Sequence, residues 1–323
     1  MLWMILTLVG LAAALLGGAW FALTQPVAAR RPSTPPAPVD PQLLERRVRR
    51  LVAFPERSFG YPESLARVAA DIRVQFTAAG ARTRDQAFRV NGDTYVNVCA
   101  ELGPDTPARI VVGAHYDAVE GTPGADDNAS GVAALLTLAE LLAPTPLRHR
   151  VELVAFVLEE PPAFGTAAMG SAVHARRLRE AGADVIGMLS LEMLGFFSDR
   201  RGSQRYPLPL LRWLYPPRGD FIGVVGRFHD VSLLRRAKGA LRGASDLPVV
   251  SLNGPGFIPG VSLSDHSAYW SQGYTAIMVT DTAFYRNPHY HEETDRPETL
   301  DYARLAQVVQ GVHAAVLALD ESR

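Results

Sequence analysis

Cysteine is almost missing from this 323-residue chain: Cys99 stands alone, which excludes an internal disulfide and a thiolate-rich metal site. Its neighbours Tyr95, Val96, Val98 and Ala100 form a strand-like run, so the thiol is expected to pack in the core. An excess of either charge is missing too. The formal net charge of -1 gives no global pull toward nucleic acid or an anionic surface, and no nucleic-acid partner is expected. Internal repeats are not visible, and nothing in the sequence sets the oligomeric state.

Charged side chains are also absent from residues 2–23. A helix of that length spans roughly 30 Å of hydrocarbon, so the expected reading is a single-pass membrane anchor over residues 1–24. Its rival is a cleaved signal peptide, since Val27, Ala28 and Ala29 make an acceptable cleavage site. Residues 25–39 are proline-rich and read as a semi-rigid spacer, leaving residues 40–323 as the main domain. Arg30 and Arg31 alone would hold that domain in the cytoplasm.

With 48% of residues hydrophobic, the remainder can bury one sizeable core. Asp40 and Pro41 supply an N-cap and a first-turn proline for a helix to about Phe54, and a second helix starts near Pro62 and ends before Gly80. Arg46, Arg47, Arg49 and Arg50 on the first are read as a solvated face. From Tyr95 onward, short apolar runs at 109–114, 151–158, 185–191, 221–225, 248–252 and 276–280 alternate with helical stretches near 130–142, 171–181, 231–241 and 301–319. That alternation predicts an α/β fold with a mixed, largely parallel central sheet covered by helices on both faces. A long irregular stretch, 196–220, is rich in arginine, tyrosine and proline and is expected to wall a cleft.

Five metal-friendly side chains recur where apolar runs end: His115, Asp127, Glu160, Glu192 and His291. In an open α/β sheet the strand C-termini share one rim, so these distant residues can converge. Two imidazoles and three carboxylates suit a pair of divalent cations such as zinc. Asp117, two residues after His115, is placed to receive the other imidazole N–H. Glu159 and Glu160 adjoin, and in an extended chain they would point opposite ways, one toward metal and one toward water.

The segments His115-Tyr116-Asp117, Gly124-Ala125-Asp126-Asp127-Asn128-Ala129-Ser130-Gly131, Glu159-Glu160, Ser264-Asp265-His266 and Tyr290-His291 follow one another in a known order. From about Tyr95 to the C-terminus the chain resembles the co-catalytic zinc exopeptidases of clan MH, the bacterial leucyl aminopeptidase and glutaminyl cyclase type. The resemblance implies a phosphorylase/hydrolase-like fold, a peptide substrate and two Zn²⁺ ions. It makes Asp127 the carboxylate bridging both ions, Glu160 a ligand and Glu159 the general base. It selects His291, followed four residues later by Asp295, over His289, and makes His266 a hydrogen-bonding neighbour of the cleft. Glu192 falls where many members have aspartate. The expected grouping is His115, Asp127 and Glu192 on one ion, with Asp127, Glu160 and His291 on the other.

The implied reaction is removal of N-terminal residues from peptides through a metal-bridging hydroxide. Its alternatives are a glutaminyl cyclase-like acyltransferase and a membrane-anchored binding ectodomain without activity. Because the family is mostly exported, the resemblance turns the main domain to the extracytoplasmic side, against the arginine pair.

Overall fold

Eight segments of the chain form one sheet: β1 (Arg82–Val90), β2 (Asp93–Leu102), β3 (Ala108–His115), β4 (Arg150–Phe156), β5 (Asp184–Glu192), β6 (Ile222–Gly226), β7 (Val249–Asn253) and β8 (Ala276–Thr280). The computed structural model describes residues 2–31 and 37–321. In space the order is β1-β2-β4-β3-β5-β8-β6-β7. The central pairs β3–β4, β3–β5 and β5–β8 are parallel, as is β6–β7, while β1–β2, β2–β4 and β6–β8 are antiparallel. The mixed, largely parallel α/β sheet expected from the sequence is therefore present.

The helices are α1 (Leu2–Thr24), α2 (Pro41–Val52), α3 (Pro62–Ala78), α4 (Gly131–Leu142), α5 (Gly170–Glu180), α6 (Val231–Ala244), α7 (His266–Ser271) and α8 (Tyr302–Asp320). Strand alternation divides the core between two faces. Ile110, Val112 and Ala114 of β3 face the cluster built with α2, α3, α4, α6 and α8, whereas Val111, Val154 and Phe156 face α5 and α7. Helix α4 is apolar nearly all round and buried, as a helix wedged between sheet and other helices must be. Truncating one of its buried leucines, such as Leu135, removes about 2–5 kcal/mol. Gly113 is obligatory in β3, because a Cβ there would sit 2.1 Å from the ring of Phe156.

Three expectations change here. Strand β1 was not anticipated: most of its residues are exposed, so it lacks a regular buried face. Of the four arginines of α2, Arg46, Arg49 and Arg50 do lie on the solvated face, paired with Asp40, with Glu45 and Glu298, and with Asp71, but Arg47 is buried against Glu140.

The third change concerns the N-terminus. Among the described residues no helix is long and apolar enough to cross a membrane. That overturns the transmembrane helix, the single-pass localisation with an extracytoplasmic domain, and the membrane partnership inferred from residues 1–24. The end of α1 is bonded into the domain instead. Lys238 Nζ on α6 donates to the carbonyls of Thr24 (2.6 Å) and Gln25 (3.1 Å) and to Ser251 Oγ (2.9 Å), and Ser251 Oγ donates to Thr24 O at 2.6 Å. Residues 25–31 lie along α6, with Arg30 N on Gly239 O at 2.8 Å and Arg242 on Val27 O. Within the expected spacer, Pro32, Ser33, Thr34, Pro35 and Pro36 lie outside the described residues.

Between the sheet and α5, the buried Glu152 carboxylate meets His174 at 3.3 Å, Arg109 at 3.1 Å and Arg84 at 3.2 Å. Burial pushes its pKa up, but His174 and Arg109 override that and hold it at about 2. A depressed carboxylate pKa contributes stability above its unfolded value, near 4.5, and that stability is lost as pH falls toward 2. Glu152→Gln is expected to lower unfolding free energy by roughly 3 kcal/mol at pH 7, the deficit narrowing as pH drops through this window. Urea titrations of both proteins at neutral and acid pH check this; an equal deficit at both would refute it.

Candidate metal centre

The rim of the parallel strands carries the site. His115 is the last residue of β3 and pairs in register with Phe156 at the end of β4, and Glu192 ends β5 opposite Thr280 of β8. Glu159 and Glu160 follow β4, Asp127 lies in the turn Ala125–Ser130 that leads into α4, and His291 lies in the loop beyond β8. Three of these segments turn through a non-glycine residue with positive φ: Leu158 (63°), Met193 (48°) and His291 itself (60°). Such strain concentrates at functional sites.

All the residues singled out from the sequence come together. His115 Nε2 lies 3.4 Å from Asp127 Oδ1, 3.5 Å from Glu192 Oε2 and 3.8 Å from Glu159 Oε2. His291 Nε2 lies 3.2 Å from Asp127 Oδ2 and 3.4 Å from Glu160 Oε2. The two oxygens of Asp127 thus face different imidazoles. His289 turns to Thr294 Oγ1 at 2.8 Å, outside the cluster. His266 bonds the carbonyl of Val261 and stacks edge-on with Trp270.

The strand expected over 151–158 stops at Phe156. Glu159 and Glu160 therefore diverge through a turn, not through strand alternation. Asp117 fixes that turn, its Oδ1 accepting from Glu159 N (3.2 Å) and its Oδ2 from Glu160 N (3.0 Å). The His115 Nδ1 partner is the carbonyl of Asp117 at 3.1 Å, while the nearer carboxylate oxygen is 3.6 Å away. Asp117 thereby orients three site residues.

Other groups had no role assigned from the sequence. Asp295 accepts the amides of Asp126 and Asp127, and Ser264 Oγ donates to Glu192 Oε2 at 2.7 Å. Buried Arg57 bonds the carbonyls of Tyr116 and Gly124, tying the His115 loop to the Asp127 turn. The Ser-Asp-His motif hinted at Ser264, and the resemblance named Asp295 beside His291 without giving it a partner.

The electrostatics are those of acids crowded without enough positive charge. Burial, then Glu192 and Glu160, push Glu159 well above the carboxylate range despite His115. Burial and Asp127 raise Glu160 to about 8, and burial raises Glu192. Burial alone would lower both imidazoles; Glu159 and Glu192 nevertheless raise His115 well above its usual value, and Asp127 and Glu160 raise His291 to about 10. Asp127, with both histidines against it, is held below the usual range although burial opposes this.

A divalent cation fits this set. The buried atoms His115 Nε2, His291 Nε2 and Glu160 Oε1 have no hydrogen-bond partner among the described residues, an arrangement costly to leave unfilled. Donor atoms of His115, Asp127 and Glu160, and of His115, Glu159 and Glu192, fall within 4.8 Å of one another. A third grouping, Cys99, Glu152 and His174, does not fit. Glu152 is already neutralised by arginines, and burial pushes the Cys99 thiol up, away from the thiolate that binds metal.

Beside Glu192 opens an apolar cavity of about 100 Å³, lined by Leu211, Tyr215, Phe221, Val225, Met278 and Phe284 among others. Gln204, Arg205, Tyr206 and Pro207 complete one wall, so the 196–220 stretch does border the cleft.

A parallel-centred α/β sheet with buried histidines and carboxylates on its carboxyl rim defines a metallohydrolase. Residues 97–208 match the model of peptidase family M28. The Escherichia coli K12 protein YfbL is 46% identical over 297 residues, covering 89% of this chain and 91% of that one. Among solved structures, the LapA aminopeptidase of Legionella pneumophila shares the fold at TM-score 0.69 and 17% identity, over 88% of this chain and 73% of its own. The glutaminyl cyclase of Fimbriiglobus ruber does so at TM-score 0.66 and 20% identity, over 90% and 99%. The chain belongs to peptidase family M28, the zinc exopeptidase family, and is a hydrolytic enzyme.

Proposed function

We propose that the protein is a di-zinc aminopeptidase that removes large apolar residues from peptide N-termini. The observation that carries this reading is Asp127, whose Oδ1 faces His115 at 3.4 Å and whose Oδ2 faces His291 at 3.2 Å, one carboxylate between two donor sets. His115, Asp127 and Glu192 would hold one ion; Asp127, Glu160 and His291 the other. Bound there, zinc supplies Lewis-acid polarisation of the scissile carbonyl and a lowered pKa for water. Glu159 takes the proton from the attacking water and returns it to the leaving amine. Asp117 holds the Glu159 and Glu160 amides, Asp295 those of Asp126 and Asp127, and Ser264 the Glu192 carboxylate. The apolar cavity beside Glu192 receives the first side chain.

Metal analysis together with a peptide panel tests the reading. Two zinc equivalents are expected, with turnover of Leu- or Phe-initiated peptides exceeding Gly-initiated ones by roughly tenfold or more; N-acetylated copies should be inert. One zinc, with cyclisation of N-terminal glutamine, would establish instead the cyclase reading.

A further inference from the structure

After Glu160 the chain folds back, with Ala163 N and Phe164 N donating to the Glu160 carbonyl at 3.0 and 3.3 Å. This places residues 164–169 beside the metal centre as one wall of a groove of about 440 Å³. The facing wall begins at Ser262 and Leu263, adjacent to the Ser264 that bonds Glu192. Leu263 lines both this groove and the apolar cavity, and so divides them. Where the cavity takes the N-terminal side chain, the peptide beyond the scissile bond continues along the Glu160 side, into the groove.

One charged side chain lines the groove: Arg176 of α5. It is half-buried and has no ion-pair or hydrogen-bond partner among the described residues. A helical side chain leans toward its helix N-terminus, here toward Met169, which also lines the groove. The one anion that every unmodified peptide carries beyond the scissile bond is its C-terminal carboxylate. An extended chain advances at most about 3.3–3.6 Å per residue, so the carboxylate meets Arg176 only over a narrow range of lengths.

We propose that Arg176 pairs with the substrate's C-terminal carboxylate and makes short free-acid peptides the preferred substrates. The proposal rests on the aminopeptidase reading and adds a length and terminus selectivity to it. The test is kcat/KM for leucine-initiated peptides from dipeptide to hexapeptide, each as free acid and as C-terminal amide. At one or two lengths the free acid should exceed the amide by roughly tenfold, as for a charge-assisted guanidinium–carboxylate pair. Arg176→Ala should bring the acid down to the amide's level, and Arg176→Lys should retain part of the difference, with thermal melts reporting that both variants fold. An acid-to-amide ratio near one at every length, or a ratio that survives Arg176→Ala, overturns the proposal while leaving the aminopeptidase reading intact. Should the alanine variant not fold, the wild-type ratio decides alone. If no peptide of either kind is hydrolysed, the aminopeptidase reading fails and this selectivity falls with it.

Discussion

Glu159→Gln retains its full metal content and loses roughly 10²–10⁴-fold in kcat, the usual worth of a positioned general base. The amide is nearly isosteric with the carboxylate and leaves the Glu159 N to Asp117 bond untouched, but it cannot accept a proton. Glu159 also stands 3.8 Å from His115 Nε2, the longest of the contacts to that nitrogen, so its loss disturbs the donor set least. Metal analysis beside steady-state kinetics makes the measurement. Turnover within tenfold of the parent would remove Glu159 from the role of base.

Asp127→Ala behaves in the opposite way: the protein sheds metal, and activity falls below detection. Asp127 is the one carboxylate within 3.5 Å of both imidazoles, through different oxygens, so its deletion weakens both halves of the centre at once. It also leaves Glu159, Glu160 and Glu192 buried together without the group that His115 and His291 share. Dialysed protein measured for bound zinc gives the answer. Two equivalents retained would show that Asp127 does not bridge.

The sequence made the candidate positions His115, Glu160, Glu192 and Asp127 legible because each follows a buried run or sits in a glycine-bounded turn, whereas His291, in a loop beyond β8, was singled out by the resemblance. β3 and β5 announced His115 and Glu192 through Ile110, Val111 and Val112 and through Leu189 and Leu191. What could not be read is what depends on partners far along the chain. Ser264 meets Glu192 across 72 residues and Asp295 meets Asp126 across 169, and no local pattern marks either pair. Arg57 looked like any surface arginine, yet it is buried because three carbonyls point at it. Helix α7 is six residues long, too short for a periodicity to show. The uncharged N-terminal run was misread for the same reason: hydropathy records the absence of charge within a segment, not the lysine elsewhere that meets the carbonyls of Thr24 and Gln25 at its end.

That lysine gives the N-terminal segment a schedule. Thr24 finds its partners Lys238 and Ser251 only 214 and 227 residues later. At typical synthesis rates of about 5–20 residues per second, Thr24 waits roughly 10–45 s after its own synthesis for its docking site. Throughout that interval α1, with Trp3, Leu6, Leu11, Leu15 and Leu16 exposed even in the finished fold, lacks these partners. The segment around Thr24 is therefore placed only after α6 and β7 have been made, long after its own synthesis.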